Sequence, residues 1–307
     1  MDDNHDVLRY LEKNRGVADT MKLCNRKVII TGGSQGLGKE IAKQCLIEGA
    51  SVAICARNAD LLREAYDDLI QFKKDNQLLI FRDADVSDKN EVDAFVEFCA
   101  SKFNTVDVLI NNAGIHGSKN QIDDIMFGLE SWQNAISVNL FGTLNMCLAV
   151  VPFLKKSGRG KIINLSGGGA TSPMPGMSAY AASKAAIVRF TETIALELKA
   201  YGIDVNAVAP GAMNTRLLTD VLENGKGKVT DEYYQKALAQ KESGGTPLNL
   251  AAELCAYLAS EDSNGITGKL ISAVWDDWKN LHKHLKELDS DIYTLRRIVP
   301  EDRGVGL

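Results

Sequence analysis

Residues 27–38 read Lys27-Val28-Ile29-Ile30-Thr31-Gly32-Gly33-Ser34-Gln35-Gly36-Leu37-Gly38. The apolar, β-branched start predicts a buried parallel strand, and a helical pattern follows the glycines. Glycines allow a tight turn, and the N–H groups at a helix N-terminus favour an anion. A strand, a glycine-rich turn and a helix in this order therefore predict a site for the pyrophosphate of a dinucleotide.

The second strand signal, residues 51–55, is followed by Ala56 and Arg57. An NAD site usually carries a carboxylate at this place, where it binds the ribose hydroxyls. A guanidinium instead pairs with phosphate oxygens, so Arg57 favours NADP (NADPH) as cofactor over NAD, which stays open. The alternative is a surface arginine exposed to solvent.

Strand and helix patterns alternate along the chain, with further strands predicted at 78–81, 106–110, 161–166, 203–208 and 269–273. This alternation predicts an α/β fold, a doubly wound, mostly parallel, seven-stranded Rossmann sheet with helices on both faces. We expect an N-terminal arm (1–25), one Rossmann domain (26–274) and a C-terminal extension or tail (275–307). Residues 212–246 follow a strand and predict a substrate lid, with a surface loop as the alternative.

The composition of this 307-residue chain disfavours several classes of partner. Its net charge of −5 argues against nucleic acid and against an anionic membrane. No apolar run approaches the roughly 20 residues of a membrane helix, and the acidic start does not resemble a signal peptide. The six cysteines and four histidines lack the spacing of a metal site or a disulfide frame. We therefore expect a cytoplasmic protein without nucleic-acid, membrane or metal partners.

Tyr180 and Lys184 lie one turn apart in a helical pattern, so both point the same way. A free tyrosine has a pKa of about 10 and is a poor acid at neutral pH. A nearby ammonium favours the phenolate and lowers that pKa, which would make Tyr180 a usable proton donor and acceptor. By itself the pair also fits an ordinary helix surface.

Several motifs occur together in one order: Thr31-Gly32-x-x-x-Gly36-x-Gly38, Asn111-Asn112-Ala113-Gly114, Asn139, Tyr180-x-x-x-Lys184 and Pro210-Gly211. With them the chain resembles the short-chain dehydrogenase/reductase family over roughly residues 26–272. The resemblance implies an NAD(P)-dependent oxidoreductase that interconverts a carbonyl and a secondary alcohol of a small-molecule substrate. Tyr180 would exchange a proton with the substrate oxygen. Lys184 would lower the tyrosine pKa and hold the nicotinamide ribose, and Asn139 would hold a water that relays protons.

The resemblance also implies the cofactor site and a homodimer or homotetramer. The candidate cofactor-binding residues are Gly32, Ser34, Gln35, Gly36, Leu37, Gly38, Arg57, Asp85, Val86, Asn112, Ala113, Gly114, Tyr180, Lys184, Pro210, Gly211, Met213 and Thr215.

One position departs from the family pattern inside the site. The family carries a serine at the position of Gly167, where its hydroxyl holds the substrate oxygen. Ser166 is adjacent and is the candidate catalytic replacement. The alternative for Ser166 is a serine that only satisfies backbone groups at the strand end.

The tail is a second departure, since the chain continues past the family's usual end with Trp275, Trp278, Arg296, Arg297 and Arg303. One hypothesis places the tail over a substrate cleft, with arginines on a phosphate. The alternative is a packing or dimer-contact tail.

Two other functions stay open. The missing serine would suit a redox-silent, cofactor-binding sensor or scaffold, whereas Tyr180, Lys184 and Asn139 favour an enzyme. An epimerase or dehydratase that acts on a nucleotide sugar with recycled cofactor is the other alternative, and a cofactor that survives purification would support it.

Overall fold

The computed structural model describes residues 21–124 and 128–306, so most of the expected arm (1–25) lies outside the described residues. Within them, seven strands form one sheet in the order β3-β2-β1-β4-β5-β6-β7. Every neighbouring pair is parallel, so the predicted doubly wound sheet is confirmed and is wholly parallel. The strands are β1 Lys27–Thr31, β2 Ser51–Ala56, β3 Leu79–Asp83, β4 Val108–Asn111, β5 Lys161–Leu165, β6 Asp204–Ala209 and β7 Leu270–Ser272.

Helices cover both faces of the sheet. Along β1, Val28 and Ile30 join the core with one group of helices, whereas Ile29 points to the opposite core, as the two-residue period of a strand requires. The helices are α1 Gly36–Ile47, α2 Ala59–Leu69, α3 Lys89–Phe103, α4 Leu129–Ile136, α5 Gly142–Ser157, α6 Ser178–Leu198, α7 Arg216–Asn224, α8 Asp231–Ser243, α9 Leu248–Ala259 and α10 Leu285–Leu288.

The strand order reverses between β1 and β4, which creates a crevice at their carboxyl ends. Thr31 ends β1 there, and its Oγ1 accepts hydrogen bonds of 3.0 Å from the backbone N–H groups of both Asn112 and Ala113. Ligands of open α/β sheets bind at such a reversal. The cofactor motifs of the sequence therefore meet where this fold binds ligands.

Residues 212–246 are more regular than their polarity suggested, because they contain the two helices α7 and α8. These helices bury Val221 and Ala237 in a small apolar cluster with Met177, and the half-buried Tyr180 packs against the same cluster. The segment thus packs against the start of α6.

The tail packs along the outer edge of the sheet. The backbone N–H of Leu270 in β7 donates to the Tyr293 carbonyl at 2.8 Å, and the N–H of Leu295 donates to Glu192 Oε1 at 2.6 Å. Trp278 is buried, with its ring 5.6 Å from that of Tyr257. These contacts support the packing alternative.

One arginine of the tail, Arg296, is already paired with carboxylates, which weakens the hypothesis that the tail binds a phosphate. The Arg296 guanidinium pairs with Asp302 Oδ1 at 2.7 Å and with Asp291 Oδ2 at 3.2 Å. Its charge is therefore balanced by carboxylates of the tail itself.

Helices α4 and α5 join through a π-helical turn, Ser137–Phe141, into one apolar helix. By length and composition this helix could cross a membrane, contrary to the expectation from the sequence. Met146, Val150 and Leu154 of α5 are buried in the core beneath the sheet. The helix is thus apolar because one side belongs to the core.

Candidate active site

The glycine turn between β1 and α1 is closed tightly and leaves the helix N-terminus uncapped. Gly36 has a φ of +54°, which favours glycine, and a Cβ on Gly38 would lie 2.2 Å from the Gly32 carbonyl oxygen. Gln35 precedes the helix with extended backbone, and its side chain makes no capping hydrogen bond. An N-terminus without a side-chain cap fits an anion, so the turn suits the pyrophosphate of a dinucleotide.

Other predicted cofactor residues brace this turn. The Asn112 side-chain amide donates to the carbonyls of Thr31 at 3.0 Å and Gly32 at 3.2 Å. The methyl group of Thr215 lies 3.6 Å from where a Cβ on Gly36 would stand. Asn112 thereby acts on the glycine turn, which it holds against the end of β4.

The loop after β6 leads from the sheet to segment 212–246. It contains the buried Pro210, then Gly211 with a φ of +92°, and Met213, which pairs with Gly245 in an isolated antiparallel bridge. The bridge ties the start of segment 212–246 to its end. These three residues therefore shape the base of that segment.

Arg57 follows β2 at the expected place for the adenosine end of the cofactor. Its side chain is 54% exposed, and Nη1 lies 3.6 Å from Asp85 Oδ2. Asp85 also accepts hydrogen bonds from the Ser87 N–H at 2.9 Å and hydroxyl at 2.6 Å. Val86 is buried, and its carbonyl accepts from Asn145 Nδ2 at 3.0 Å. Because the Arg57 side chain is exposed and its ion pair is long, the guanidinium remains available to bind a further anion.

Tyr180 and Lys184 share one face of α6, but the ammonium does not contact the phenol hydroxyl. Lys184 Nζ donates to the Leu165 carbonyl at 2.8 Å and lies 5.6 Å from the centroid of the Tyr180 ring. Burial lowers the pKa of Lys184 to about 8. Burial, and then the proximity of Tyr233, raises the pKa of Tyr180 to about 12. The expected lowering of the tyrosine pKa is therefore not found in this arrangement, because burial disfavours the phenolate.

Asn139 lies in the π-helical turn and is fully buried. Its Oδ1 accepts the Ile115 N–H at 2.8 Å, and its Nδ2 donates to the Ile115 carbonyl and the Ser183 hydroxyl, both at 2.9 Å. A Cβ on Gly114 would stand 3.3 Å from Asn139 Oδ1 and 3.5 Å from Lys184 Nζ. The structure thus brings Gly114, Asn139 and Lys184 together at one point of the crevice.

The Ser166 hydroxyl is hydrogen-bonded to the backbone. This buried hydroxyl donates to the Lys184 carbonyl at 3.3 Å, and the Ser166 N–H donates to the Val208 carbonyl at 2.8 Å. Ser166 therefore satisfies backbone groups at the strand end, which was the alternative reading. Gly167 instead faces the reacting group, since a Cβ there would lie 2.6 Å from Tyr180 Oη.

The structure adds polar contacts that the sequence motifs do not reveal. Asn111 Nδ2 donates to Asn164 Oδ1, and Asn164 Nδ2 donates to Thr191 Oγ1, each at 2.9 Å, in a buried chain beneath the site. His116 is also buried, and its ring packs edge-on against Tyr180 with centroids 4.9 Å apart. An asparagine inside the apolar run of β5 was a signal for the buried chain. Nothing in the sequence marked His116 beyond its place just after Gly114.

Fold and site together define a Rossmann-type oxidoreductase with a tyrosine beside its dinucleotide crevice. Residues 26–226 match the family model described as short chain dehydrogenase, and the chain belongs to this family of NAD(P)-dependent enzymes, which act on carbonyl and alcohol groups of small molecules.

A relative with an assigned activity supports this family membership. The chain is 33% identical over 252 residues to the 3-oxoacyl-(acyl-carrier-protein) reductase FabG of Chlamydia muridarum, which covers 81% of this chain and 96% of the relative.

Two solved structures resemble the fold at 26% identity each. NAD+-bound xylitol dehydrogenase has a TM-score of 0.74, with 82% of this chain and 98% of that chain covered. A gluconate 5-dehydrogenase from Burkholderia cenocepacia in complex with NADP and tartrate has a TM-score of 0.71, with 83% and 95% covered. Similar structures thus hold either cofactor.

Proposed function

We propose that the protein is an NADP-dependent oxidoreductase in which Tyr180 is the general acid and base for the interconversion of a carbonyl and a secondary alcohol. The observation that carries the proposal is the convergence of Tyr180, Lys184, Asn139 and Gly114 beside an uncapped helix N-terminus at the sheet reversal. The nicotinamide cofactor, when bound, supplies the redox chemistry as a hydride donor or acceptor.

The chain's own groups would bind, orient and transfer the proton. The first turn of α1 would hold the pyrophosphate, and Lys184 would hold the ribose hydroxyls from its buried position. Tyr180 would give its proton to the carbonyl oxygen on reduction and take it back on oxidation. The lid packed on Tyr180 through the Met177 cluster would exclude water from this transfer.

Arg57 supports the choice of NADP. It stands at the end of β2 without a carboxylate at Ala56, and its charge meets only one side chain, Asp85, at 3.6 Å among the described residues. A 2′-phosphate would add the bidentate contact that a guanidinium favours.

Cofactor titration tests this proposal, with NADPH and NADH followed by fluorescence on the wild type, Arg57→Ala and a control. Loss of a charged bidentate contact costs about 1.5–3 kcal/mol, so Arg57→Ala should weaken NADPH binding roughly ten- to a hundredfold and leave NADH binding unchanged. The matched control is Arg297→Ala, an exposed arginine of the tail, which should change neither affinity. Equal binding of both cofactors to the wild type would contradict the NADP preference.

Turnover separates the proposed enzyme from a redox-silent sensor, which Gly167 would suit because it offers no hydroxyl. The relatives suggest a panel of acetoacetyl-coenzyme A, xylitol and gluconate, each assayed with NADPH or NADP. Cofactor binding without turnover on this panel or on other simple ketones and alcohols would favour the sensor.

We also infer from composition that the protein acts in the cytoplasm.

A further inference from the structure

His116 is a buried histidine to which the proposed function assigns no role. It is 6% exposed, and its ring plane stands at 87° to that of Tyr180. Within the described residues, Nδ1 has no hydrogen-bond partner, because the nearest carboxylate oxygen, Asp220 Oδ2, lies 3.6 Å away. Buried polar atoms are normally paired, so this unpaired nitrogen indicates a ligand or a small movement that brings Asp220 within hydrogen-bond distance.

Asp220 comes from the lid helix α7, whereas His116 lies in the loop after β4. Lys119 of the same loop places its Nζ 2.6 Å from Asp220 Oδ2. His116, and then Lys119, hold the pKa of the Asp220 carboxyl well below its usual range against the opposing effect of burial. Asp220 is therefore a fixed negative charge that the lid presents to the imidazole.

The oxygen that reacts at Tyr180 needs a second polar contact, because charge develops on it as the carbonyl is reduced. Gly167 has no side chain, the Ser166 hydroxyl is turned to the Lys184 carbonyl, and Lys184 Nζ is turned to the Leu165 carbonyl. His116 is the polar ring that packs directly on the tyrosine.

We propose that His116 contacts the reacting oxygen together with Tyr180, in the role of the absent serine, and that Asp220 is its positioning residue. The inference rests on the proposed function. On reduction, hydride from the reduced nicotinamide cofactor of the proposed function forms a bond to the carbonyl carbon, the C=O π electrons move to oxygen, and that oxygen takes the proton of Tyr180. Tyr180 is left as a phenolate, which takes a proton from solvent before the next turnover. His116 as imidazolium donates a hydrogen bond to the same oxygen and keeps its proton, while Asp220 stabilises the imidazolium charge.

The charges around His116 determine the pH dependence. They are Asp220 on α7, Lys119 on its own loop, and Lys184 beside Tyr180 on α6. Burial lowers the pKa of His116 from 6.5, Asp220 raises it in part, and the two lysines lower it further. Since only the imidazolium can donate from both nitrogens, reduction should become faster as the pH falls through this lowered pKa.

The test uses kinetics on the panel compound that the wild type reduces or oxidises fastest. His116→Phe keeps an aromatic ring against Tyr180 but removes both nitrogens, and kcat should fall about 100-fold, as for loss of one oxyanion donor. NADPH affinity should not change. His116→Gln, which keeps an N–H donor, should recover part of the rate. His282→Phe, at an exposed histidine of the tail, is the matched control and should be silent.

Asp220→Asn tests the positioning role without relying on rate alone. The chain has four histidines, so the NMR signal of His116 can be assigned as the one lost in His116→Phe. In Asp220→Asn that signal should titrate at lower pH than in the wild type, and the rise in reduction should move to lower pH with it.

The outcomes distinguish this inference from the proposed function. Wild-type kcat and an unchanged pH profile in His116→Phe would overturn the role of His116 and leave the oxidoreductase intact. An unshifted His116 titration in Asp220→Asn would overturn the positioning role. Absence of cofactor binding or of any turnover in the wild type would overturn both proposals.

Discussion

Gly167 is closed to larger side chains by its neighbour and not by its backbone. Its φ of 176° is extended, a conformation open to any residue. A Cβ there would nevertheless lie 2.6 Å from Tyr180 Oη, so the tyrosine hydroxyl occupies the space that a serine would need. The absence of the family serine and the position of Tyr180 are therefore linked.

Replacing Gly167 separates these two effects. Gly167→Ser and Gly167→Ala should both destabilise the protein by about 1–3 kcal/mol, because either Cβ must displace the tyrosine. The serine variant should reduce the best panel substrate faster than the alanine variant, because only its hydroxyl can polarise the carbonyl. Chemical denaturation and kcat measure the two effects. Equal rates in both variants would show that a hydroxyl here does not reach the substrate.

The tail acts as an element that covers part of the edge of the sheet. Lys269 Nζ donates to the carbonyls of Ser290 at 2.7 Å and Ile292 at 3.0 Å, beside the backbone contact between Leu270 and Tyr293. Leu295 packs onto the small buried cluster that includes Ala170, which follows Gly167 in the loop behind the site. An open edge strand is prone to pair with other chains, and the tail covers part of the β7 edge through these contacts.

Deletion of residues 290–307 should therefore destabilise the fold without weakening NADPH binding. Four hydrogen bonds to β7, Lys269 and Glu192 are lost at about 0.5–1.5 kcal/mol each. We expect a melting temperature lower by several degrees and increased aggregation as β7 is exposed. A combined Arg296→Ala and Arg297→Ala variant, which removes charge but not packing, is the control. Weaker cofactor or substrate binding in that control would revive the phosphate role of the tail.

The sequence predicted the strands and most helices more closely than it predicted the side-chain contacts. The runs that became β1 and β2 are short, apolar and bounded by glycine or a charged residue, so local pattern alone located them. Helices α7 and α8 were missed because few of their residues are buried, and Val221 and Ala237 pack mainly against each other's helix and against Met177, which lies far away in sequence. The shared helix face of Tyr180 and Lys184 was predictable from their spacing of four residues. The direction of the Ser166 hydroxyl and the contact of His116 with Asp220 depend on segments far apart in sequence, which no local pattern encodes.

At the scale of the whole molecule, large apolar side chains are exposed on the α4–α5 helix and on α6. Phe141 and Leu148 lie two turns apart on the α4–α5 helix and are 52% and 57% exposed, and Leu196 of α6 is 77% exposed. Helices α5 and α6 bury their inner sides in the same core, so their outer sides share one face of the molecule. With part of the sheet edge covered by the tail, this face is our candidate for contact with a second copy of the chain.

We therefore predict a homo-oligomer that forms through α5 and α6. Leu148→Glu places a charge on this face and should shift the protein toward monomer in analytical ultracentrifugation, because a buried unpaired charge opposes association. Ile298→Glu is the matched control, since Ile298 is 58% exposed on the tail, and it should leave the assembly unchanged. If Ile298→Glu dissociates the protein and Leu148→Glu does not, the tail is the interface, as the dimer-contact hypothesis holds. A monomeric wild type would exclude both surfaces and would leave each active site to a single chain.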